Sequence, residues 1–159
     1  MAHEYRATVR WKRDAGVKFI DQRYSRGHRW SFDGGIEVPA SSSPLSVRLP
    51  YSVAEAVDPE EALVAALSSC HMLTFLYVAA KQGFVIDDYA DEAVGEMTKN
   101  ERGRMWVSKI MLNPTITFSG DKRPTPAQLD ELHHLAHDEC YIANSVKSEV
   151  VVNGAMSFA

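Results

Sequence analysis

The stretch "DPEEALVAALSSCHMLTFLYVAAKQG", Asp58 to Gly83, decides the reading of this chain. Its start carries helix-initiation signals one after another: Asp58 as N-cap, Pro59 at the first helical position, and Glu61 three residues past the cap to complete a capping box. Gly83 is a natural stop, so roughly two dozen residues at ~1.5 Å rise give an axis of about 36 Å. Leu63, Val64, Leu67, Leu73, Phe75, Leu76 and Val78 are distributed nearly all round it. Such a helix needs cover on more than one side and is expected to be the central helix. Ser68, Ser69, His71 and Thr74 interrupt the apolar run and charges flank it, which favours a helix buried in protein over a membrane span.

Outward from this helix, the elements alternate in kind. "EYRATVRW", "KFIDQRYS" and "HRWSFDGG" read as early strands and a hairpin, "PASSSP" as a surface loop, and "LSVRLP" as a short strand. Downstream, "DEAVGEMT" and "RMWVSKIMLNPTITF" flank "KNERGR" as an antiparallel hairpin turning at Gly103. Thr125, Pro126 and Gln128 then start a second helix, and Leu129, Leu132 and Ala136 carry its apolar stripe to about Cys140. "SVKSEVVVNG" closes the chain as a last strand. This order is an α+β one, with antiparallel sheets around a long helix, and residues 1–159 are expected to form a single domain.

A net charge of −4 gives no overall attraction to nucleic acid or to an acidic membrane surface, and neither is expected as a partner. The N-terminus lacks the uninterrupted apolar run of a secretory signal, and two cysteines in 159 residues are no disulfide framework, so the expected location is cytoplasmic. Any sulfur chemistry must use Cys70, Cys140 or both. Helical spacing puts Leu63, Ala66, Leu67, Leu73, Thr74 and Tyr77 on the face of Cys70. A thiol in such company is either a small buried hydrophobe or a nucleophile whose thiolate is held by a cation or hydrogen bond from elsewhere in the fold. His71 adjoins Cys70 but points about 100° away around the helix, toward another surface or a hydrogen bond.

"DPEEALVAALSSCH" resembles the signature of the OsmC/Ohr family of thiol peroxidases, and "CYIANSVKSEV" resembles that family's second-cysteine segment. The element order and the gap between the cysteines match as well. The resemblance implies a peroxidatic Cys70 that becomes a sulfenic acid, a resolving Cys140 that closes a disulfide, and a dithiol reductant, lipoyl-type or thioredoxin-like, that reopens it. It implies no cofactor. It also implies that Glu60 and an Arg stabilise the thiolate, with Arg23, Arg26, Arg29 and Arg48 all competing for that place. Glu60 and Cys70 lie ten residues apart on one helix, roughly 15 Å along the axis, so a shared site requires a second subunit. This agrees with the intertwined homodimer that the resemblance implies. The sequence departs from the family pattern at Asp58, where Asn is usual, at His71, where an aromatic residue is common, and at Tyr141, where Pro usually follows the cysteine.

Two other readings compete. His133, His137 and Cys140 fall at i, i+4 and i+7, one stripe of a helix bearing possible zinc ligands. Alternatively, the fold with inert cysteines serves as a binding module for a small hydrophobic ligand. The apolar face around Cys70 favours an organic hydroperoxide over hydrogen peroxide as substrate.

Overall fold

The structure is a computed structural model that describes residues 2–159. The described residues form an α+β fold with two α-helices and three three-stranded sheets. The chain divides into two compact units, one ending at Ala62 and one running Leu63–Ala159.

In the first unit, β1 (Ala7–Arg10), β2 (His28–Phe32) and β3 (Glu37–Ala40) form an antiparallel sheet in that order. The expected strand "KFIDQRYS" does not form. Its residues lie in turns, where Phe19 stacks on Tyr24 at 4.6 Å and both rings meet Trp11. Aromatic residues favour strands, but here they pack on one another instead of on a sheet face. "LSVRLP" is also a series of turns, so Arg48 sits on no strand.

Helix α1 (Pro59–Lys81) begins as the sequence dictates. Glu61 N–H donates to Asp58 Oδ1 at 2.8 Å, and Asp58 N–H donates to Glu61 Oε2 at 3.2 Å, the reciprocal pair of a capping box. Gly83 ends the segment at φ +79°, a left-handed conformation that glycine adopts without a Cβ penalty.

The second unit contains the rest of α1, two sheets and helix α2 (Pro126–Glu139). Strands β4 (Val85–Asp91), β7 (Pro114–Ser119) and β9 (Ala155–Phe158) make one sheet; β5 (Val94–Lys99), β6 (Met105–Leu112) and β8 (Glu149–Val152) make the other. β5 and β6 are the expected hairpin, closed by Asn100 N–H to Arg104 O and Gly103 N–H to Asn100 O. Beside the expected antiparallel pairs, β6–β8 and β7–β9 pair in parallel, so these two sheets are mixed. Asn113 also separates "RMWVSKIMLNPTITF" into β6 and β7, which belong to different sheets. Pairings across forty residues are non-local and leave no mark in the alternation of either strand.

Two apolar clusters fill this unit. Phe75 and Ala79 of α1 pack with Phe84, Ile116, Phe118 and, from α2, Leu129, Leu132 and Ala136. One turn or two earlier on α1, Leu67 packs with Ile110, Leu112 and Cys140. Each large side chain so buried contributes ~1.5–3 kcal/mol. The buried stripe of α1 is Leu67, His71, Phe75 and Ala79, and it is centred one residue past Cys70. Leu73 and Tyr77, assigned by spacing to the Cys70 face, are 61% and 64% exposed within the chain. Composition and length alone would let α1 cross a membrane, with mean hydropathy 1.7. Its inward stripe instead carries a buried, hydrogen-bonded histidine.

Candidate functional site

Two clusters of reactive side chains occur, one in each unit. In the second unit both cysteines are free thiols. Cys140 caps the C-terminus of α2 and is fully buried, while Cys70, from the middle of α1, is half-buried and packs against the same cluster. Residues seventy apart in sequence thus meet through the packing of Leu67, Ile110 and Leu112. Burial pushes the Cys140 thiol up to about 11, and the neighbouring Cys70 sulfur pushes the same way; backbone N–H groups of Ala143 and Ile142 oppose it. Cys140 is therefore a protonated thiol at neutral pH. The Ala143 N–H donates to Cys140 Sγ at 3.4 Å, and Asn144 Nδ2 donates to Cys140 O, so the segment after α2 is held as a short 3-10 turn, Ala143–Ser145.

His71 turns away from Cys70, as its helical position dictates, and its Nε2 lies 3.1 Å from Nδ1 of His133 on α2. The two rings stack at 14° and Phe75 lies against His133 at 4.4 Å. Burial lowers both imidazoles to about 4; for His71 the neighbouring His133 and His137 add to the effect and Asp91 opposes it. Both are neutral at pH 7. The zinc arrangement of His133, His137 and Cys140 does not materialise. His133 Nδ1 is engaged by His71, and among the described residues no group of three or more His, Cys, Asp or Glu side chains is placed to hold a metal ion.

In the first unit, a cavity of about 460 Å³ is lined by Val9, Trp11, Phe19, Tyr24, Arg26, His28, the serines 41–43 and 46, Pro59 and Glu60. Of the four competing arginines, only Arg26 lines it. Arg29 pairs with Glu37 at 3.5 Å on the surface, Arg48 lies 6.0 Å over the Tyr51 ring, and Arg23 is exposed. Arg26 is anchored on all sides. Its Nη1 donates to Gln22 O and Tyr24 O, each at 2.6 Å, its guanidinium lies 3.9 Å over the Tyr24 ring, and its backbone N–H donates to Tyr51 O.

His28 adds a further brace. The Trp30 indole N–H can only donate, and it does so to His28 Nε2 at 2.9 Å. His28 Nδ1 must then carry the proton, which it donates to Arg26 O at 2.8 Å. "RGHRW" is the local sequence behind this brace, but only the turn geometry reveals it. Glu60, in the first turn of α1, is shifted upward, chiefly by burial, then by its hydrogen bond and charge contact with Asp58 and by Glu61. No ion pair among the described residues joins Glu60 to Arg26.

Comparison with known proteins sets these clusters in a family. The sequence model for OsmC-like proteins matches residues 52–154. An OsmC-like protein of unknown function from Vibrio cholerae is 52% identical, with a TM-score of 0.94 over 96% of this chain and 99% of that one. More distant structures share the fold. An organic hydroperoxide resistance protein from Elizabethkingia anophelis is 16% identical with a TM-score of 0.68 over 100% of both chains, and OhrB of Bacillus subtilis is 18% identical with 0.61 over 98% of both. No curated protein matches the chain in sequence. With its matched region spanning both α1 and the Cys140 segment, and a relative 52% identical along nearly its whole length, the chain belongs to the OsmC-like family.

Proposed function

We propose that the protein is a thiol peroxidase for organic hydroperoxides, with Cys70 as the attacking sulfur and Cys140 as the resolving one. The observation that carries this reading is the meeting of two free thiols of unequal exposure in one apolar cluster. Cys70, the more accessible, attacks the terminal peroxide oxygen in its thiolate form. The O–O bond breaks, the alkoxide leaves and takes up a proton, and Cys70 becomes a sulfenic acid. Cys140 then attacks the Cys70 sulfur, water leaves, and an intramolecular disulfide forms. A dithiol reductant returns both thiols by exchange, supplying the two electrons that the peroxide consumed.

The Cys140 proton suits this order. A thiol held up to about 11 is a poor first nucleophile, and it stays protonated until an electrophilic sulfur arrives beside it. Arg26 and Glu60 are the activating pair in this reading. Roughly 15 Å of helix separates Glu60 from Cys70, so each cavity serves a cysteine pair of a second copy, and the active form is a homodimer. The exposed Leu73 and Tyr77 on α1 give such a dimer an apolar face to cover.

The test is a free-thiol count and intact mass of the reduced protein before and after one equivalent of cumene hydroperoxide. Loss of two thiols and of two hydrogens in mass is expected. Cys70→Ser should consume no peroxide, and Cys140→Ser should gain one oxygen and stall. Unchanged wild-type thiols would leave the cavity with its aromatic corner as the functional feature, and a small-ligand binding module as the reading that replaces this one.

A further inference from the structure

We propose that the His71–His133 hydrogen bond is a positioning device for disulfide closure, fixing α1 against α2 so that Cys140 reaches the oxidised Cys70. The inference rests on the peroxidase reading above. His71 is the residue after Cys70. His133 is seven residues, two helical turns, before Cys140 and on the same stripe of α2. Among the described residues it is the one side-chain hydrogen bond between the two cysteine-bearing helices; their other packing is apolar and without direction. Apolar contacts tolerate sliding along the helix axis. A 3.1 Å bond between two stacked rings does not.

The pair is poorly explained as a stabilising element. Two neutral imidazoles share one N–H and one lone pair in their mutual bond, which leaves one N–H and one lone pair over. The remaining atoms, His71 Nδ1 and His133 Nε2, are buried and have no partner among the described residues. An orphaned buried donor costs ~1–3 kcal/mol, and apolar rings of similar shape would avoid that cost. The surroundings are nevertheless shaped to the ring. A Cβ at Gly154 would overlap His133 Nε2, so the β8–β9 connection runs bare backbone past the imidazole. What the pair gives in return is direction, and the chemical step that needs direction is closure. A disulfide requires the two Cα atoms at about 4.4–6.8 Å and a narrow range of dihedral angle.

The experiment compares wild type with His133→Phe, which keeps the ring stack and deletes the bond, and His133→Asn, whose amide returns a polar atom near the Nδ1 position. His71→Phe serves if His133→Phe does not fold. After one equivalent of cumene hydroperoxide, dimedone trapping counts the sulfenic acid and intact mass counts the disulfide over time. In His133→Phe the first oxidation should keep its rate, the melting temperature should hold or rise, and closure should slow by up to about a hundredfold, as a misplacement of about 1 Å produces. His133→Asn should recover most of the rate. Closure at the wild-type rate in His133→Phe would overturn the inference alone. Slow closure that tracks a lowered melting temperature, with no recovery in His133→Asn, would overturn it too, leaving a structural role. A wild-type protein that keeps both thiols would overturn the peroxidase reading itself.

Discussion

The two units treat their reactive groups in opposite ways. In the first, charged groups line an open cavity: Arg26 is tied to backbone carbonyls on turns, and Glu60 sits among acidic neighbours at a helix start. In the second, the Cys140 thiol and the two imidazoles are buried and neutral, the imidazoles are hydrogen-bonded to one another, Cys70 packs half-buried against the Cys140 cluster, and packing rather than charge fixes their geometry. In the proposed mechanism, the difference divides the reaction between the two units. Charge that polarises a peroxide needs solvent-side room and firm anchors, whereas the closing of a disulfide needs a dry, rigid cluster with no competing water.

The sharpest way to break this division is to disturb one side and read the step assigned to the other. Arg26→Ala removes a guanidinium held by two carbonyls and an aromatic ring. In the proposed mechanism it should slow oxidation of Cys70 by about a hundredfold, the usual scale for deleting one preorganised charge-stabilising donor. Disulfide closure, followed after oxidation is complete, should keep its rate. Rapid mixing with cumene hydroperoxide separates the two phases. Equal slowing of both would show that the cavity and the thiol core do not divide the work.

Local signals in the sequence were enough for the helices and not for the connections between distant residues. Asp58, Pro59 and Glu61 announce α1, and Thr125, Pro126 and Gln128 announce α2, because capping involves groups only three residues apart. The β5–β6 hairpin was legible for the same reason. The parallel pairings of β8 and β9 were not, nor was β9 itself, since "GAMSFA" is short and its partner is forty residues away. Of the candidate site, both cysteines and Glu60 stand out by type and place. Arg26 does not differ from Arg23 or Arg29 until the turns fold around it. The His71–His133 bond spans sixty-two residues; helical geometry turns His71 away from Cys70, but nothing local names its partner.

Acid should distinguish the two sides by folding stability. His71 and His133 titrate near 4 in the folded chain against 6.5 when free, and each is at least nine-tenths buried. Between those values the unfolded chain binds more protons than the folded one, so stability falls as pH falls. The cost of burying a charged imidazole is absent above pH 6.5 and grows as pH drops toward 4, below which both states are protonated and the slope ends. His137 and Asp91, which face His71, oppose one another and leave the direction unchanged. Urea unfolding at a series of pH values checks this. A His71→Phe/His133→Phe double variant should be flatter across the same window, and a wild-type chain with no slope there would mean the imidazoles are already charged or solvated.

The smallest change is the most selective, because it alters one charge in the cavity unit and nothing in the thiol core. Asp58→Asn keeps a side-chain oxygen for the Glu61 N–H, and Asn caps helices about as well as Asp, so stability should move by only a few tenths of a kcal/mol. The same substitution removes the Asp58 carboxylate, whose hydrogen bond and charge follow burial among the causes that raise Glu60. Glu60 should therefore ionise at lower pH in the variant. If an ionised Glu60 supports peroxide attack, the acid limb of the oxidation rate shifts to lower pH while the rate of closure, which depends on the other unit, keeps its own profile. A shift in oxidation alone would tie Glu60 to the first step. Identical profiles in wild type and Asp58→Asn would reduce Glu60 to a first-turn carboxylate that favours the helix dipole, and Arg26 would stand as the only charged group of the cavity with a part in the chemistry.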